Sequence, residues 1–86
     1  MNIEDVIKQM IEGPKDVKFT DLCNVCTYYF GEPRQKGSHY IYKTPWQGDP
    51  RINIQNDKGN GKPYQIRQVL KAIERLEVEH GNESSN

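Results

Sequence analysis

Residues 35–55 read QKGSHYIYKTPWQGDPRINIQ, and the alternation on either side of the central turn decides the fold. Tyr40 and Tyr42 alternate with His39, Ile41 and Lys43; further on, Ile52 and Ile54 alternate with Arg51, Asn53 and Gln55. A period of two is the pattern of a half-buried strand. Pro45 and the WQGDP turn break the first run, so the two runs, joined by a loop containing Gly48, form a hairpin. RQKG, just ahead of His39, is placed to form a further short strand beside the next. If the two tyrosines and two isoleucines face a core, then His39, Ile41, Lys43, Arg51, Asn53 and Gln55 share the opposite face.

Helical spacing brackets these strands. Ile3, Val6, Ile7, Met10 and Ile11 recur at the intervals of an amphipathic helix that Asn2 can cap and Gly13-Pro14 stops. A second helix is expected from Thr20 as N-cap, with Asp21 in its first turn and Phe19 folded back on that turn. Leu22, Cys23, Val25, Cys26, Tyr29 and Phe30 form its apolar face, and Gly31 with Pro33 ends it. After the glycine-rich loop NDKGNGK, Pro63 suits the first turn of a third helix. Ile66, Val69, Leu70, Ile73 and Leu76 or Glu77 form its stripe, His80 and Gly81 close it, and residues 82–86 are expected to be a polar, disordered tail. Helices set apart from a contiguous antiparallel sheet define an α+β domain of two layers, here a single domain over residues 1–81.

The 86 residues fit one small core, and no apolar run reaches the ~20 residues needed to cross a bilayer. The start of the chain has no apolar segment followed by a small-residue cleavage site, so no secretory signal is read there and cytoplasmic residence is expected. The formal net charge of zero conceals a division along the chain. Residues 1–32 hold three lysines against six acids. Residues 33–71 hold eight Lys or Arg against Asp49 and Asp57, and residues 72–86 hold Arg75 against four glutamates. The basic middle of the chain points to a polyanion partner, set against a solvated surface with unevenly placed charges.

Several residues carry possible chemistry. A face that sets a histidine among cations and amides suits a phosphodiester, because cations hold the phosphate and imidazole moves a proton near neutral pH. His39 is also readable as a surface residue, and residue physics alone leaves the two readings level. Lys58, Gly59, Gly61 and Lys62 resemble a phosphate cradle running into a helix N-terminus, or else a turn with solvated lysines. Trp46 either stacks on a base or, the favoured reading, folds back over the edge of the core. Cys23 and Cys26 form CNVC, which is read as two buried core thiols ahead of a redox pair or half a metal site.

Taken together, KFTDL, KGSHYIYK, RINIQ and the basic glycine loop before KPYQIRQVLKAI occur in the order found in the HicA toxins of bacterial and archaeal toxin–antitoxin systems. The chain resembles that family over residues 17–77. The resemblance implies a fold like a double-stranded-RNA-binding domain, α-β-β-β-α, here with an extra N-terminal helix over residues 1–13. It also implies a ribosome-independent endoribonuclease that cleaves messenger RNA without a metal or other cofactor. The catalytic histidine maps onto His39. Lys36, Ser38, Lys43, Arg51, Lys58 and Lys62 are the residues expected to hold RNA. A HicB-type antitoxin is the implied protein partner.

The chain departs from the family at two places. Tyr40 stands where many members have a second histidine, and as a core-facing residue it should not affect the chemistry. The helix at residues 1–13 precedes the usual start and either extends the core, the favoured role, or offers a surface to the antitoxin. A second catalytic group is left among Ser38, Lys36 and Tyr40. The competing readings are an RNA-binding module of the same fold without catalysis, and a structural protein whose CNVC holds a metal.

Overall fold

The computed structural model describes residues 2–48 and 50–84. Three α-helices and a four-stranded antiparallel sheet build an α+β fold. In chain order these are α1 (Ile3–Glu12), α2 (Phe19–Phe30), β1 (Arg34–Lys36), β2 (His39–Tyr42), β3 (Ile52–Asp57), β4 (Asn60–Gly61) and α3 (Pro63–Ser84), with a short 3-10 turn at Pro14–Asp16. The strands follow one another across the sheet as β1-β2-β3-β4. β2 and β3 pair with His39 opposite Gln55 and Tyr42 opposite Ile52. Tyr42, Ile52 and Ile54 are buried with Leu22, Val25 and Cys26 of α2 and Ile66, Val69 and Ile73 of α3. Tyr40 is partly buried on the same side, its ring edge-on to Phe19 at 5.2 Å.

α1 packs against α2 and α3 and sends Val6 and Met10 into the core. Asn2 Oδ1 accepts the Asp5 N–H at 2.8 Å, and the Gly13 N–H closes the helix on the Gln9 carbonyl at 2.8 Å. Ile11, read as part of the buried stripe, is 66% exposed. The stripe that meets α2 and α3 is narrower than the sequence pattern, and Ile11 lies beyond its edge.

Three further expectations are corrected. α2 starts at Phe19 with Lys18 in the cap position, and Thr20 lies inside the helix. Tertiary pairing supplies what a capping side chain would: the Phe19 N–H donates to the Gly59 carbonyl at 2.9 Å, and Lys18 bridges to Asn60. Next, the stretch NDKGNGK is a β-hairpin, and β4 is a fourth strand beyond the three expected. Lys58 and Gly59 form its two-residue turn with φ of 56° and 90°. Positive φ at both positions is the type I′ geometry that matches the twist of paired strands. Finally, α3 does not stop at His80–Gly81 but continues to Ser84. A glycine inside a helix costs only about 1 kcal/mol against alanine, and no proline follows to end it. Residues 85 and 86 of the expected tail lie outside the described residues.

Gly61 shows how closely the sheet meets its helices. A Cβ built there would lie 2.7 Å from Leu22 Cδ2 and 3.2 Å from Ile66 Cδ1. Both neighbours are fully buried and have little room to move. Gly61→Ala is therefore expected to destabilise the protein by about 1–3 kcal/mol through overpacking. Gly13→Ala, whose Cβ would meet nothing within 4 Å, should change stability far less. Urea denaturation of the two variants checks the contrast.

Candidate functional site on the open sheet face

With α2 and α3 on one side of the sheet, the other side carries His39, Ile41, Asn53 and Gln55, with Arg34 and Lys36 from β1. Lys36 pairs directly across from His39 and Arg34 across from Ile41. The β1–β2 turn is two residues long and places Gly37 at φ 61°, a conformation that glycine takes without strain. It brings Lys36 and His39 side by side at the end of the sheet.

His39 is partly exposed, and its ring is held from the neighbouring strand. Nδ1 lies 2.8 Å from Asn53 Oδ1. The amide oxygen accepts, so Nδ1 carries a proton, and in the neutral ring Nε2 is the nitrogen with the free lone pair. Asn53 stands opposite Ile41, two residues along from Gln55, which faces His39, so the bond runs diagonally between strands. Gln55, directly opposite His39, donates through Nε2 to Ser38 Oγ at 3.1 Å. Its backbone N–H is accepted by the buried Gln65 Oε1 of α3 at 2.8 Å. Helix, strand and turn are thus joined by hydrogen bonds immediately beside the imidazole.

The expected RNA-holding residues divide into two groups. Lys36, Ser38, Lys43 and Arg51 accompany the open face, whereas Lys58 and Lys62 belong to the β3–β4 hairpin. The Lys58–Gly59 tip reaches the same end of the sheet as Gly37 and Ser38. Lys62 lies after β4, and its carbonyl accepts the first N–H bonds of α3. The phosphate cradle expected of this loop is not open. The Gly59 N–H is taken by Asn56 Oδ1 at 2.7 Å and the Gly61 N–H by the Val17 carbonyl at 3.0 Å.

Asn53 and Arg34 were not singled out by sequence reasoning. The alternation already put Asn53 on the face of His39, and Arg34 is two residues from Lys36 in a short strand. What the sequence lacked was the register that makes Asn53, and not Gln55, the partner of the ring. Of the three residues considered for a second catalytic group, Tyr40 points into the helices and is removed from the choice.

Trp46 folds back, as the favoured reading had it. Its indole N–H donates to Glu79 Oε2 at 2.9 Å, the Arg75 guanidinium carbon lies 4.2 Å from its ring centroid, and Phe30 packs at 6.4 Å. Both cysteines are free thiols on α2, Cys26 buried and Cys23 partly so. Burial pushes both thiol pKa values up, Cys26 strongly. Among the described residues no group of three His, Cys, Asp or Glu side chains is arranged to hold a metal ion. No helix among them is long and apolar enough to cross a membrane.

Compared with family models, with curated proteins and with solved structures, the chain matches none.

The thiol geometry gives a direct check. The thiolate is the reactive form, and burial opposes both its formation and reagent access. In the folded protein at pH 8, Cys26 is expected to resist alkylation and Cys23 to react slowly, while both react readily in denaturant. A raised folded-state pKa stabilises the fold below the ordinary thiol range. That contribution falls away as pH rises toward the folded values. Mass spectrometry after timed alkylation reads the order; fast modification of Cys26 in folded protein would return the redox reading.

Proposed function

We propose that this protein is an endoribonuclease of the HicA kind, the toxin of a toxin–antitoxin pair, which cleaves messenger RNA and is neutralised by a HicB-type partner. The observation that carries the reading is His39 on an open, cation-bearing sheet face with its Nδ1 held by Asn53 at 2.8 Å. The helix-strand-strand-strand-helix order from α2 to α3, resembling a double-stranded-RNA-binding domain, supports it, with β4 and α1 as additions. The G-S-H motif at the β1–β2 turn supports it as well.

The chemistry follows from the orientation of the ring. His39 Nε2 takes the proton of a ribose 2′-hydroxyl, whose oxygen attacks the adjacent phosphorus. A P–O2′ bond forms and the P–O5′ bond breaks, leaving a 2′,3′-cyclic phosphate and a 5′-hydroxyl once a proton reaches the leaving oxygen. Lys36, the cross-strand neighbour of His39, is placed to stabilise the charge that builds on the phosphoryl oxygens. The other cations of the face bind the flanking phosphates, with the salt sensitivity that such contacts bring. An antitoxin that covers this face needs acidic and apolar groups to match it. The cytoplasm, where messenger RNA is translated, is the compartment this reading requires.

The test compares wild type, His39→Ala and Asn53→Ala by growth after induction, by total RNA, and by cleavage of RNA by purified protein in EDTA. Wild type should arrest growth and fragment messenger RNA. His39→Ala should keep its fold by circular dichroism and lose about 10²–10⁴-fold in cleavage rate. Asn53→Ala should lower kcat on the order of tenfold while KM changes little, because the RNA is still bound but the ring is no longer held in one tautomer. Binding without cleavage by folded wild type would instead identify an RNA-binding module.

A further inference from the structure

The pairing sets out the open face in rows. Lys36, His39 and Gln55 stand together in the first, and Arg34, Ile41 and Asn53 in the second. Lys43 and Arg51 follow the last pair, Tyr42 and Ile52, and begin a third. Successive rows are two residues apart along a strand, about 6.5–7 Å, close to the reach of one extended nucleotide.

Next to the His39 row lies a groove of about 700 Å³. Four cations line it, Arg34, Lys36, Lys43 and Arg51, against the single carboxylate of Glu32. Phe30, Pro33 and Ile41 complete its lining as the apolar members. Among the described residues Arg34, Lys36 and Lys43 form no salt bridge. Their mutual repulsion is relieved by an anionic ligand.

We propose that this groove is a subsite for the nucleotides that flank the cleaved bond, which it receives as extended single-stranded RNA lying along β2. Arg34 takes one flanking phosphate and Lys43 with Arg51 the next, while bases lie against Ile41 and Phe30. Single strands bind in this way, with the backbone on cations and the bases on an apolar or aromatic platform. A duplex keeps its bases stacked and paired and cannot lay them on these apolar side chains. The volume lies within the range typical of pockets for small ligands. The proposal rests on the ribonuclease reading for its orientation past His39, but the groove is defined by residues other than the histidine.

The experiment uses the full chain carrying His39→Ala, so that RNA is not cut, and a fluorescein-labelled ten-nucleotide RNA as a single strand and as a duplex. Affinity is measured by anisotropy over a salt series. The single strand is expected to bind at least tenfold more tightly than the duplex. Adding Arg34→Gln should weaken single-strand binding roughly three- to tenfold and lower the slope of log affinity against log salt by about 0.7, one phosphate contact on a single strand. Adding Ile41→Ser should weaken binding with the slope unchanged. Equal or tighter duplex binding, or an Arg34→Gln variant unchanged in affinity and slope, overturns the proposal. Cleavage by protein with His39 intact separates the two ideas. If that protein cuts RNA and Arg34→Gln leaves its KM unchanged, the subsite fails alone. If it does not cut but the binding pattern holds, the nuclease reading fails and the groove stands as a single-strand site.

Discussion

Burying Tyr42 turns His39 outward. The tyrosine lies wholly within the core, its hydroxyl donating to the Cys23 carbonyl at 3.4 Å, and strand alternation then places Ile41, Lys43 and His39 on the other side. Pairing with β3 enforces the same choice, because Ile52 and Ile54 enter the core with Tyr42. A slip of one residue would expose two isoleucines, at about 1.5–3 kcal/mol each, and bury Asn53 and Gln55 without partners. The three buried side chains of Tyr42, Ile52 and Ile54 thus fix the register, and the register delivers the imidazole, the amides and the cations to a single surface.

The second constraint is the close approach of β4 to the start of α2. Val17, Lys18 and Phe19 are tied to Gly59, Asn60 and Gly61, and only glycine at position 61 lets the backbone lie so near Leu22 and Ile66. This contact accounts for what was hard to see in the sequence. Thr20 has the chemistry of a helix cap, yet the helix begins at Phe19 because a distant hairpin satisfies its first N–H. The glycines of NDKGNGK look like an exposed anion loop when read alone. Their N–H groups are instead spent on Asn56 and Val17. Long-range pairing is invisible to local pattern, and here it overrides both capping and loop signals.

The short-range features were legible for the opposite reason. Alternation over residues 39–43 and 51–55, the stop at Gly31 and the cap at Asn2 are set within a few residues of chain, and all appear where expected. The candidate site lies between these extremes. Which residues share the face of His39 follows from alternation, whereas the choice of Asn53 as the partner of the ring depends on a diagonal between two strands. The basic cluster was visible as charge in the middle of the chain. Its division into a groove beside the histidine and a separate hairpin depends on the sheet order.

The packing of Trp46 gives the molecule a built-in optical reporter. It is the chain's single tryptophan, and its indole sits between Phe30 of α2 and the Arg75–Glu79 pair of α3. The loop that carries it is closed at its base by the Thr44 hydroxyl donating to the Pro50 carbonyl, and it joins the two strands that form the open face. Emission from this one ring therefore registers whether the β2–β3 connection is docked on the helices. Because Arg51 closes the same connection and also lines the groove, a ligand drawn to that guanidinium acts next to the fluorophore. Intrinsic fluorescence would thus read a change beside Arg51, which lines one pocket with Trp46, without any attached label.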